Sequence, residues 1–108
     1  MYNDFSISDA ELIYMFHQGC CDTFDLLLNY YNRLLWKRSH ASHQQGAMDS
    51  VELEDFYQVA SISFYESLYS FRPEVKVGLA HFVDICIKSG LGNMTRKCRT
   101  YSYQLLSS

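Results

Sequence analysis

The chain has 108 residues, 48% apolar and 19% charged, a globular composition at one domain's length that does not suggest disorder. Its formal charge of −3 argues against a nucleic-acid binder, yet all twelve acidic residues lie at or before Asp84. Residues 1–84 therefore carry −7, and residues 85–108 carry +4 from Lys88, Arg96, Lys97 and Arg99. An acidic body with a basic end suits one protein partner and one polyanionic partner. Cations that merely face the negative end of a helix dipole give the same pattern. No apolar run approaches the roughly 18 residues of a membrane span, so no membrane partner is expected. The start, Met1 to Phe5, lacks the basic and apolar regions of a secretory signal, which points to a cytoplasmic protein. Adjacent Cys20 and Cys21, with Cys86 and Cys98, suit neither a disulfide framework nor a CxxC metal knuckle, and read as reduced core thiols.

One proline and five glycines leave room for long helices. The first helix opens at Ser8, where Ser8 and Glu11 make an S-x-x-E capping box. Leu12, Met15 and Phe16 follow at helical spacing, and Gly19 is the stop. The second opens near Asp22 as N-cap. Its stripe is Phe24, Leu27, Leu28, Tyr31, Leu34, Leu35 and Arg38, and it fades into a polar loop over Ser39 to Gly46. The third begins after Ser50, with Glu52, Glu54 and Asp55 suiting the positive end of the dipole. Leu53, Phe56, Tyr57, Ala60, Phe64, Leu68 and Phe71 mark its buried face, and Arg72-Pro73-Glu74 ends it. The fourth runs from about Gly78 to Arg99 over Leu79, Phe82, Val83, Cys86, Ile87 and Met94. Gly90 and Gly92, each costing about 1 kcal/mol relative to Ala, predict a kink or break there. Thr100 to Ser108 reads as the start of a polar linker. The expectation is a single all-α domain, a compact bundle of about four helices.

The most informative stretch is Leu53-Glu54-Asp55-Phe56-Tyr57-Gln58-Val59-Ala60. Helical geometry puts Asp55 and Gln58 on one face with Glu54 and Ile62 beside them, while Phe56, Tyr57 and Ala60 turn to the core. A carboxylate and an amide on a rigid helix can meet arginines of a partner, and they equally make an ordinary solvated face.

The run Leu53 to Gln58, then Tyr65-Glu66-Ser67-Leu68, then Phe71-Arg72-Pro73-Glu74 resembles the core-binding helix of the bacterial sigma-70 family, region two. Upstream, Asp9-Ala10-Glu11-Leu12-Ile13, a Gly, a Phe and Tyr30-Tyr31 are similar to that family's opening. Downstream, Phe82-Val83, Ile85-Cys86-Ile87-Lys88, Asn93 and Arg96-Lys97 are similar to its DNA-facing helix. The likeness spans residues 8 to about 99 and leans to alternative factors of the sporulation and competence type. The chain differs from the family in having Val59 after the Gln, His81 and Phe82 where a Trp is common, and Ser89-Gly90 after Lys88.

The resemblance implies a factor that binds core RNA polymerase and opens promoter DNA. Asp55 and Gln58 would dock on the clamp helices of the largest polymerase subunit, bordered by Leu53, Glu54, Ser61 and Ile62. The fourth helix would face the single-stranded nontemplate strand of the minus-ten element through His81, Phe82, Lys88, Asn93, Arg96, Lys97 and Arg99. Arg72 and Lys76 would reach the same strand from the preceding loop. An anti-sigma protein is a further partner that the resemblance admits. Phe82, lying in an apolar stripe, is equally a core residue.

No Ser-His-Asp order, carboxylate pair or phosphate loop is apparent, so the expected work is binding, with no enzyme activity, cofactor or metal. His40 and His43, three apart, lack further ligands at metal spacing. Two other readings fit the same chain. One is a helical protein-interaction module without a DNA role, in which Arg96 and Lys97 are merely solvated. The other is a stand-alone helix-turn-helix duplex binder, for which the basic region shows no short Gly-containing turn.

Overall fold

A computed structural model describes residues 9–46, 51–72, 74 and 77–107, with the side chains of 46 and 98–107 excepted. The described residues form four helices and no strand: α1 (Asp9–His17), α2 (Cys21–Gly46), α3 (Leu53–Ser70) and α4 (Leu79–Ser107). This is the expected all-α bundle. α3 packs most extensively on α4 and α2, and α1 closes one end against α2 and α3.

The core is built from rows of every fourth residue, as ridge-into-groove packing requires. α4 contributes Leu79, Val83, Ile87 and Leu91; α3 contributes Phe56, Ala60, Phe64 and Leu68; α2 contributes Leu27, Tyr31 and Leu35. Leu12, Ile13 and Phe16 of α1 and the C-cap residue Phe71 complete it. Each buried Leu or Phe adds about 1.5–3 kcal/mol, so these three rows dictate how far each helix is rotated about its axis. The rotation of α3 is fixed further by Tyr57. Its ring stacks on Trp36 at 3.9 Å between centroids, and its hydroxyl donates to Asn32 Oδ1 at 2.7 Å.

The helix ends are held by local chemistry. α1 stops at Gly19, whose φ of +81° suits glycine. Gly19 N–H donates to Phe16 O and Cys20 N–H to Met15 O, the paired bonds of a Schellman end. Ser8, the expected cap of α1, lies outside the described residues. Asp9, the first residue of α1, instead caps another helix: its carboxylate accepts Leu79 N–H at 3.1 Å. A carboxylate there meets the positive end of the α4 dipole and ties the start of α1 to the start of α4.

Three expectations are corrected. α2 starts at Cys21, with Cys20 rather than Asp22 before it. α2 also continues through Ser39 to Gly46, where a loop was expected. The stripe runs on through Ser39, Ser42 and His43, hidden by polar residue types. Ser39 is fully buried because its hydroxyl donates to Leu35 O at 2.7 Å, so burial leaves no orphan donor. The His43 ring meets the Phe56 ring edge-on at 5.6 Å. Finally, α4 is continuous through Gly90, Gly92 and the expected linker to Ser107. Gly90 sits where α4 crosses α3 so closely that a Cβ would fall 2.0 Å from Ser63 Oγ. Glycine serves packing at this position, and the helix does not break.

Candidate protein-binding and nucleic-acid-binding faces

On α3 the face opposite the core is a continuous stripe. Glu54, Asp55 and Gln58 are exposed along it, Ser61 is half-buried at its edge, and Ile62 is 58% exposed. The stripe runs on to Tyr65 and Tyr69, both largely exposed, whose hydroxyls lie 3.0 Å apart. Of the six residues expected on the docking face, Glu54, Asp55, Gln58 and Ile62 share this stripe, Ser61 borders it, and Leu53 instead lies in the core-facing row with Phe56, Ala60 and Phe64. The core row on one side and the Trp36–Tyr57 stack on another hold that face outward. Asp55 has a second duty. Its Oδ2 accepts the N–H of Glu52, the N-cap of α3, at 3.1 Å. That bond fixes the carboxylate at the helix start, and the residue remains exposed to a partner donor.

An exposed isoleucine flanked by an acid and an amide can anchor a helix of opposite character. The acids draw cations, the amide hydrogen-bonds, and Ile62 supplies apolar area.

The α4 candidates divide between two grooves. Lys88 and Arg96 line the one between α2 and α4, together with Arg38. Asn93 lines the one between α3 and α4, with Ser63 and Glu66. The Arg96 guanidinium donates to Asn93 Oδ1 across the crest that separates them. His81, Lys97 and Arg72 are exposed. Phe82 is half-buried with its ring 5.5 Å from Phe71, packed against the core cluster. Lys76 lies outside the described residues, as does the side chain of Arg99.

The interaction that sequence reading missed is centred on Asp84. Arg38 grips its carboxylate in a fork, Nε to Oδ1 at 2.8 Å and Nη2 to Oδ2 at 3.0 Å. Lys88, one turn on, reaches Oδ2 at 3.3 Å. Burial pushes the Asp84 carboxyl up, but the hydrogen bonds and charges of Arg38 and Lys88 outweigh it and hold it below the usual carboxylate range. Nothing in spacing announces a pair 46 residues apart. The only sequence signal was that Arg38 interrupts an apolar stripe.

Among the described residues no three His, Cys, Asp or Glu side chains are grouped to hold a metal ion. None of the helices searched there is long and apolar enough to cross a membrane. No protein-family model, curated protein or solved structure matches the chain significantly.

Proposed function

We propose that this chain is a cytoplasmic, RNA-polymerase-recruited domain that helps open promoter DNA, in the manner of region two of the bacterial sigma-70 family. The observation that carries the reading is the stripe of Glu54, Asp55, Gln58 and Ile62, exposed together on a helix whose rotation is locked from behind. The order of the likenesses along the chain supports it, and so does a basic α4 set apart from the acidic α3 face. The mechanism is binding alone. α3 would hold the polymerase clamp helices, and α4 would meet the nontemplate strand of the minus-ten element.

A helical interaction module without a DNA role is the second reading. It is favoured by Asp84, which already offsets part of the charge of Arg38 and Lys88. The two readings separate in one titration of labelled single-stranded minus-ten DNA, with and without core polymerase. The proposal expects weak, salt-sensitive binding by the chain alone, and affinity at least about tenfold higher with polymerase present. Equal affinity in both arms contradicts it. Tight duplex binding without polymerase would instead mark a stand-alone DNA binder.

A further inference from the structure

We infer that the groove between the C-terminal half of α2 and the middle of α4 seats the phosphodiester backbone of a nucleic acid, with Arg38 of α2 as one of its holding residues. This rests on the nucleic-acid part of the function proposed above and gives that part a place.

Both walls are free of acids over long stretches. α2 carries Arg33, Lys37 and Arg38 and no acid from Leu26 to Gly46, and α4 carries none after Asp84. The groove itself, about 420 Å³, is lined by Arg38, Lys88 and Arg96 with Ser42, Gln45 and Thr95. It therefore offers three cations and the Ser42 hydroxyl, while the Thr95 hydroxyl donates back to Leu91 O at 3.0 Å. Among the described residues the carboxylate at its edge is Asp84, so a positive excess remains there. Asp84 engages Nε and one Nη of Arg38, and a guanidinium has five N–H donors in a rigid fork. The pair thus orients Arg38, with donors left over for an oxyanion. Arg96 is bonded to the neutral Asn93 amide oxygen, so its charge is not cancelled there.

One effect opposes an anion. α2 ends at Gly46 beside Gln45, and a helix C-terminus carries roughly half a negative charge. Three formal cations against one carboxylate and that partial charge still leave the groove positive.

The spacing favours a polymer over a small anion. Lys88 and Arg96 are eight residues apart on α4, about 12 Å along the axis. With Lys88 held at Asp84 and Arg96 at Asn93, the two charges stay apart and suit successive phosphates of a strand better than a single one. The polar lining also gives little for the apolar side chains of an acidic peptide.

The test is an amide NMR titration of the whole chain in low salt, with a short single-stranded DNA oligonucleotide in one arm and inorganic phosphate in the other. The expected result is shifts concentrated at residues 41–45 and 92–96, saturating at lower concentration with the oligonucleotide. Arg96→Gln and Ser42→Glu should each weaken that binding at least about threefold, and Arg96→Gln should lower the salt slope by about 0.7. Asn29→Glu, an exposed change elsewhere on α2, should do so much less. Arg38→Gln is avoided as the first variant because it strands Asp84. An equal response to phosphate would reduce the groove to a small-anion site and overturn the inference. So would shifts centred elsewhere, or shifts unaltered by Arg96→Gln. Polymerase takes no part in this titration, so a negative result removes the groove without touching the α3 docking face.

Discussion

Asp84 is the last acidic residue of the chain, and it stands between Arg38 and Lys88 where the acidic body meets the basic end. Because its pKa is depressed in the fold, its stabilising contribution is complete above the pKa of an unfolded Asp and is lost as pH falls through the folded value. The margin of wild type over Asp84→Asn in melting temperature should hold constant at neutral pH and shrink below about pH 4. A margin that instead grows on acidification would contradict that account of the pair. At this scale the sequence was legible where a period carried the information. Asp55, Gln58 and Ile62 share a face because helical geometry puts them there. Arg38 and Asp84 were not legible, since their meeting depends on how two distant helices are docked.

At the scale of the element, the two glycines of α4 look alike in sequence and differ in the fold. Gly90 faces Ser63 and Val59 of α3, whereas a Cβ on Gly92 would meet only Arg96 Nη1 at 3.9 Å. Gly90→Val should therefore destabilise by about 1–3 kcal/mol through overpacking. Gly92→Ala should stabilise by up to about 1 kcal/mol by helix propensity and a less flexible unfolded chain. Urea midpoints of the two variants against wild type check both, and a stabilising Gly90→Val would remove the close crossing from the account. Helix existence and type were readable from apolar periodicity. Helix ends were not, because Ser39, Ser42 and His43 continue the stripe of α2 in polar residue types. A buried serine that bonds back to its own helix looks like loop chemistry to a reading based on polarity.

At the scale of the molecule, the bundle separates two surfaces of opposite character. α3 presents acids, an amide and an exposed isoleucine, and the α2–α4 side presents cations. The fold was legible as a whole because three helices share a row of core residues every fourth position. The site was legible only in part. Its acidic half lies on one helix, while its basic half is assembled from two, and Trp36 and Asn32, which set the rotation of α3, carry no motif. The central claim is that the α3 stripe docks on polymerase. The measurement that tests it most directly is the affinity of the chain for the isolated clamp helices of the largest polymerase subunit, wild type against Asp55→Ala/Gln58→Ala, with helicity checked in both. The account predicts low-micromolar or tighter binding by wild type and at least about a tenfold loss, 1.4 kcal/mol, in the double variant. Folded wild type that does not bind, or a folded double variant that binds as well, would contradict it.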